Sequence, residues 1–418
     1  MKIKNLSKKK AGAISAIYLA IEAISLFLII KILGGNEKRE IASIWVFFTS
    51  MIPLAQLAVS GYTTIITREL AKANDTDNVN CNAKNNIKKE ADRLFKKSII
   101  FLFLCLIWVV IYLYIKNESK FIIAFTLYFC GIIARAYILY LSAHFLGLKK
   151  YGVDKIIMLN CTAAGILLVY FSSKLFHELP IIVCAYVFPY IIGAVVSKII
   201  FRKMIKKESY SNSSSSVFLN KEIFKMHLIN FAGFLTLNTD VLIAKQNFDS
   251  HSFVEYGLLS KATMGIVAFS GIVITLQFPS YSALFSNGNI LAMKEKIIKA
   301  SILVTIFSLI TGIVFFLMHG ELVLTILNRQ PVVDSSVVVV LLIFIIAVVN
   351  TMNVGMAIIA TGDSRLVSIA LPIAIIGFIA SAFGSSLYGI FGMVSAMTFF
   401  GIISFLFHVK LLNEIIRK

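Results

Sequence analysis

The feature that most constrains this chain is a series of long, nearly uncharged apolar runs that recurs from one end to the other. A bilayer core needs about 20 apolar residues per crossing helix. Twelve stretches reach that length, near 11–34, 41–66, 98–115, 121–147, 153–173, 179–201, 224–246, 255–284, 298–318, 336–360, 365–386 and 388–412. The runs are continuously apolar, whereas membrane-barrel strands alternate over about 10 residues. Composition agrees, with 58% hydrophobic residues and only 15% charged, against about 25% charged in soluble domains. An ordinary soluble domain and a disordered chain are both excluded. The first run, Ala11 to Leu33, is too long for the apolar core of a cleaved signal, and no clear small-residue cleavage site follows it. The expected fold class is therefore an all-α polytopic membrane protein of about twelve transmembrane helices.

The formal net charge of +19 reads first as topology. With the N-terminus placed in the cytoplasm, 29 of the 40 Lys and Arg fall in inside segments, 8 in outside ones and 3 within spans. Lys and Arg concentrate on the cytoplasmic side of membrane proteins. The bias predicts an even number of spans with both termini cytoplasmic. It also removes nucleic acid as a partner and leaves the anionic lipids of the inner leaflet as the natural neighbours of these cations.

The outside loops are short. Residues 203–222 (KMIKKESYSNSSSSVFLNKE) form a Ser-rich, basic linker near the chain midpoint. The expected organisation is an N-terminal six-helix lobe over 1–202, the linker, and a C-terminal six-helix lobe over 223–418. Weak internal offsets fit a duplication. Gly147 and Lys150 stand 215 positions before Gly362 and Arg365, and Trp45 stands 211 before Tyr256. Repeated halves are a common build for secondary transporters.

Ionisable groups within spans are few, and in hydrocarbon such groups usually face a bundle interior or a hydrated cavity. Lys261, in VEYGLLSKATMG, reads as a cation meeting an anionic substrate, or as a lysine reaching for the outer interface. Arg135, mid-span in CGIIARAYILYL, reads as a phosphate or pyrophosphate contact, for which a planar guanidinium is suited, or as a structural ion pair. Asp240 in LNTDVLIAK and Glu22 in LAIEAISLF are coupling acids for protons or another cation, or the ion-pair partners of Arg135, Lys261 or Lys31. Lys31 and Lys245 end related spans of the two halves, and Arg68 closes the second span. Interfacial anchoring competes with a substrate role at all three. Among the aromatics, Trp45, Tyr62, Tyr137 and Tyr256 lie near the charges and are candidate sugar contacts, with an interface belt as the alternative.

No enzyme constellation is present. G-x-x-x-x-G-K-[ST], H-E-x-x-H and G-x-S-x-G are all missing, and no acids pair on the outside. The cysteines (Cys81, Cys105, Cys130, Cys161 and Cys184) have neither metal-ligand nor disulfide-framework spacing. No cofactor and no metal is expected beyond coupling to a proton or cation.

Twelve spans in this length, a basic midpoint linker and an ordered set of local patterns resemble the polysaccharide-export branch of the multidrug/oligosaccharidyl-lipid/polysaccharide exporter superfamily. SGYTTIITREL resembles the exit of that family's second helix. NTDVLIAK resembles its helix with an acid before an aliphatic run. VEYGLLSKAT resembles its G-x-Y-x-x-A-x-[KR] helix, and FPSYSALFSNGN its P-x-[LY]-S-x-L exit. Glu255 departs from the pattern by replacing a small residue before Tyr256. Within the branch the chain is most similar to the O-antigen repeat-unit flippases called Wzx. The resemblance implies a bacterial inner-membrane flippase that moves an undecaprenyl-pyrophosphate-linked oligosaccharide to the periplasmic leaflet, with two six-helix lobes around a cationic, partly hydrated lumen. It also implies the O-antigen polymerase and chain-length regulator as partners. By motif position, Lys261 matches the lumen cation of the eighth helix, whereas Arg135 is assigned from its depth alone. A cation-coupled multidrug exporter of the same superfamily and, in a different class, a membrane polysaccharide polymerase are the alternatives.

Overall fold

The computed structural model describes residues 8–33, 39–75, 81–148, 150, 152–176, 178–205, 220–363 and 365–417. Most of the expected linker, 206–219, lies outside the described residues. Among the described residues every regular element is a helix. In chain order these are α1 (Lys8–Leu33), α2 (Arg39–Ser50), α3 (Pro53–Asp75), α4 (Cys81–Ile115), α5 (Ile122–Gly147), α6 (Val153–Leu175), α7 (Leu179–Ile205), α8 (Asn220–Asn238), α9 (Asp240–Asn247), α10 (Ser250–Ser286), α11 (Ile290–Leu327), α12 (Ser335–Thr361) and α13 (Leu366–Arg417).

Ten stretches are long and apolar enough to cross a membrane, and α8 with α9, bent by 42°, makes an eleventh. The twelfth is hidden in α13. Its 52 residues would run about 78 Å as one straight helix, more than twice a bilayer core. The helix breaks at Tyr388 and Gly389, where Gly389 has φ 61° and ψ −145°, a conformation essentially reserved for glycine. The chain folds back there, because the backbones of Gly384 and Gly392 meet so closely that a Cβ on either would clash. The polytopic all-α class expected from the apolar runs is what the chain adopts.

Two spans are broken for local chemical reasons. The 41–66 run is two helices, because Pro53 lacks an N–H and its ring disfavours helical geometry at Ile52. The turn is closed by Leu54 N–H to Met51 O and Ala55 N–H to Ile52 O, both 3.0 Å. The 224–246 run bends at Thr239, whose hydroxyl donates back to the Leu235 carbonyl at 2.6 Å. Such back-bonding competes with the helix ladder and bends it.

Contacts divide the chain into two compact units. The first comprises Met1–Leu33 and Met51–Asn230, the second Gly34–Ser50 and Phe231–Lys418. Segment 34–50 thus counts with the second unit. In the first unit α1 packs on α6, α6 on α7, and α5 on α3, α4 and α7. In the second, α10 gathers α2, α9, α11 and α12, and α13 packs on α12 and α9. Apolar burial is strong along α5 and α12, while α4, α7, α11 and α13 present many exposed Leu, Ile and Phe. Such outward faces suit lipid as the surrounding solvent.

Candidate functional site

Among the described residues, each unit holds polar groups inside its apolar helices.

In the first unit Arg135 is 3% exposed at the middle of α5. A bare guanidinium at that depth is prohibitively costly, so it must be paired and hydrogen-bonded. Its Nη1 reaches Glu22 Oε1 of α1 at 2.8 Å. Its Nη2 donates to the Tyr186 hydroxyl at 3.0 Å and to the Tyr190 hydroxyl, both from α7. The guanidinium also lies 4.1 Å from the Tyr190 ring centroid. Thr162 of α6 bonds the same Tyr190 hydroxyl at 2.8 Å, and Tyr186 stacks on Tyr128. Four helices are therefore tied to one cation. Of the partners open to Glu22 on sequence grounds, the structure pairs it with Arg135. Glu22 keeps 28% of its side chain exposed, so the pair is sealed at Arg135 and open at Glu22.

Tyr186 and Tyr190 were not singled out from the sequence. Their signal is a Tyr pair at i, i+4 in CAYVFPYIIG, a spacing that stacks two hydroxyls on one helix face.

In the second unit Asp240 opens α9 directly after the bend and is 4% exposed. One carboxylate oxygen, Oδ2, accepts from the Tyr256 hydroxyl at 2.8 Å and from the Ser260 hydroxyl at 2.7 Å. Both donors lie on α10 at i, i+4. The other oxygen, Oδ1, is buried and accepts no hydrogen bond among the described residues. Asp240 lines a cavity of about 30 Å³ together with Thr236, Thr239, Ser381 and Ser404, room for one or two waters or a small cation. Lys261, next along α10 from Ser260, donates to the Thr49 carbonyl of α2 at 3.3 Å. That contact needs α2 pressed against α10. Gly257 permits it, since a Cβ there would collide with the Val46 side chain. Lys245 of α9 donates to the Ser43 hydroxyl at 3.4 Å, and its ammonium lies 5.6 Å from the Phe253 ring.

A third group, missed on sequence grounds except for the departure at Glu255, closes the loop between α11 and α12. Glu255 is fully buried. Its two oxygens accept the backbone N–H groups of Val332 and Val333, each at 2.9 Å. His319 Nε2 and Arg329 Nη2 stand 3.6 Å away. A lone acid inside FVEYGLL was the signal, because such a carboxylate must find donors.

The remaining sequence candidates are placed as follows. Lys31 is exposed at the last turn of α1, and the side chain of Arg68 lies outside the described residues. Trp45, Tyr62 and Tyr256 are buried, the last with its hydroxyl on Asp240, while Tyr137 is half-buried. Tyr62, Tyr137 and Tyr140 form one aromatic cluster with Phe95 in the first unit.

No protein-family model and no curated protein sequence matches the chain. Solved structures do. The MATE multidrug transporter DinF-BH, in a ligand complex, aligns with a TM-score of 0.68 at 14% identity, over 97% of this chain and 94% of its own. An inward-facing multidrug-resistance transporter of the MATE family and MOP superfamily aligns at 0.66 and 12%, over 95% of each chain. The bent form of the Vibrio cholerae MATE transporter VcmN aligns at 0.58 and 12%, over 98% of each. The chain is a multi-pass membrane protein with the fold of the MATE transporters of the MOP superfamily.

Proposed function

We propose that the chain is a flippase for an undecaprenyl-pyrophosphate-linked oligosaccharide, working by alternating access in a bacterial inner membrane. The observation that carries this reading is the character of the intramembrane charge. Lys261 is a cation within an apolar span of the second unit and Arg135 one within a span of the first, and an intramembrane cation suits a pyrophosphate rather than a cationic drug. The order of local patterns along the chain supports the same substrate class. In this reading Lys261 meets the pyrophosphate, held ready by the Thr49 carbonyl. Arg135 meets it when its Glu22 bond opens. Asp240, which lines a water-sized cavity and has one oxygen bonded by Tyr256 and Ser260, takes up the coupling proton or cation. Tyr137, a half-buried member of the aromatic cluster of the first unit, is a sugar contact. The polymerase and the chain-length regulator are its partners.

A second reading is favoured by the solved structures, several of which are multidrug transporters. A multidrug exporter would use the same fold with Asp240 as the cation-facing group.

One experiment separates the two. Lys261→Ala, checked for normal membrane expression, is expected to abolish polysaccharide display while Lys261→Arg keeps it. Wild-type protein in an efflux-deficient host is expected to leave the accumulation of a cationic dye unchanged. Normal display with Lys261→Ala overturns its role, and dye extrusion by the wild type moves the assignment to the exporter.

A further inference from the structure

Helix α4 is longer than a bilayer requires, and its two ends differ in chemistry. Its apolar part, 98–115, is about 27 Å long at 1.5 Å per residue, close to the thickness of a hydrocarbon core. The helix continues below it through KKEADRLFKK, residues 88–97.

The side chains of the whole helix from Lys88 onward sort onto two faces. Ala91, Phe95, Ser98, Leu102, Val109 and Leu113 are buried and recur at spacings of three, four or seven residues, one stripe of a helix. Two side chains near its lower end fix the azimuth. Asp92 accepts from the Tyr140 hydroxyl of α5 at 2.5 Å, and the Lys88 ammonium lies 5.6 Å from the Phe201 ring of α7. Ser98 donates to the Ala58 carbonyl of α3 at 2.6 Å and closes the same face.

The opposite face is outward along its full length. Ile100, Leu104, Ile107, Trp108 and Ile111 are all more than half exposed, as lipid-facing residues are. Directly below them, Lys89, Arg93, Lys96 and Lys97 are exposed as well. At about 100° per residue Lys89, Arg93 and Lys97 fall within the same arc of the helix as Ile100 to Ile111, and Lys96 about 20° outside it. One acid, Glu90, lies at the arc's margin. Lys97 stands at the edge of the apolar part, Arg93 about 6 Å further and Lys89 about 12 Å further. The headgroup layer adds roughly 5–8 Å on each side of the core, so Lys97, Lys96 and Arg93 lie within its depth and Lys89 one turn beyond it, within reach of its long side chain.

We propose that Lys89, Arg93, Lys96 and Lys97 form a docking surface for anionic phospholipid headgroups of the leaflet that α4 enters at this end. The lipid tails lie along Ile100, Leu104 and Ile111, and the phosphates lie against the four cations. Continuity with the lipid-facing stripe selects a membrane lipid over a soluble anion, which would have no use for the apolar half of the face. Charge complementarity selects an anionic lipid over a zwitterionic one. Each cation near an anionic surface raises the local headgroup concentration about fivefold. This proposal does not depend on the transported substrate.

The test uses the full chain reconstituted in vesicles of phosphatidylcholine with phosphatidylglycerol, then extracted mildly, with the retained lipid counted by mass spectrometry. The wild type is expected to retain phosphatidylglycerol at several times its share of the vesicle. The variant K89Q/R93Q/K96Q/K97Q is expected to lose that enrichment, and the charge-keeping variant K89R/R93K/K96R/K97R to hold it. If the fourfold variant fails to fold, the pair K96Q/K97Q reads the same effect as a partial loss. Equal enrichment in wild type and charge-removed protein overturns the proposal. So does retention of an added polyprenyl pyrophosphate with no enrichment of phosphatidylglycerol.

Discussion

The Arg135–Glu22 pair offers the sharpest test of what holds the first unit together. Breaking a fully buried pair by removing one partner costs about 3–5 kcal/mol, whereas an exposed pair is worth about 0–1 kcal/mol. Arg135 belongs to the first regime and Glu22, 28% exposed, lies between the two. When Glu22→Gln removes the carboxylate, the guanidinium keeps two tyrosine hydroxyls and the Tyr190 ring. A cation–π contact of that kind offsets about 1–2 kcal/mol, so the expected loss is about 2–3 kcal/mol. Arg135→Met releases Glu22 and removes the bond from the guanidinium to the Tyr186 hydroxyl, while Tyr190 keeps Thr162. A lost hydrogen bond of this kind costs about 0.5–1.5 kcal/mol. The double variant removes both charges together and is expected to fall short of the summed single losses by about 1.5–2 kcal/mol, well outside the 0.3–0.5 kcal/mol scatter of independent sites. Equilibrium unfolding in mixed SDS micelles, followed by far-ultraviolet circular dichroism, measures all four corners of the cycle. Additive losses would refute the pairing as a stabilising contact. The same proteins carry a second readout: a double variant that folds well but displays no polysaccharide assigns Arg135 to transport as well as to packing.

Two further outcomes follow from capping carboxylates. Glu255→Ala strands two backbone donors, Val333 in a buried setting. Hydrogen exchange over 328–336 is expected to accelerate tenfold or more, for a cost of about 1–3 kcal/mol, and an unchanged rate would refute the anchoring role. Asp249 caps α10 by accepting from the backbone N–H groups of His251 and Ser252 and from the Ser252 hydroxyl. Partial burial pushes its carboxyl up, but those hydrogen bonds outweigh this and hold it below the usual carboxylate value. The stabilisation is therefore complete above the unfolded value, near pH 3.9, and fades as pH falls through the lower folded one. Asp249→Ala is expected to cost about 1 kcal/mol at neutral pH and progressively less on acidification. A cost that grows with acid would contradict the sign.

The spans were legible because a bilayer demands unbroken apolar length, and nothing else in the sequence imitates that. Even the fold-back within α13 was legible, since no apolar run of that length fits one crossing. The break at Pro53 was not read, although proline chemistry predicts it, because hydropathy alone joins the two halves of the run. Individual charges were legible as exceptions to the apolar pattern, but their partners were not. Arg135 could have met any acid on any helix, and only the packing of α1, α5 and α7 selects Glu22 and the two tyrosines. Likewise the Tyr256 hydroxyl, a candidate for sugar, is engaged by Asp240, a match set by the bend at Thr239 rather than by residue type.

The placement of α2 bears on how this polypeptide can be divided. Its residues precede Pro53 in a stretch that sequence order gives to the first half, yet they pack against Gly257 and supply the carbonyl that holds Lys261. The helix is in effect on loan, in the manner of a swapped segment. A gene cut within 206–219 and expressed as its second piece alone would make a C-terminal fragment with a bare strip along α10 and a Lys261 that has lost the Thr49 carbonyl. Such a fragment is expected to need its N-terminal companion, or at least a peptide equivalent to α2, before it behaves as a folded body.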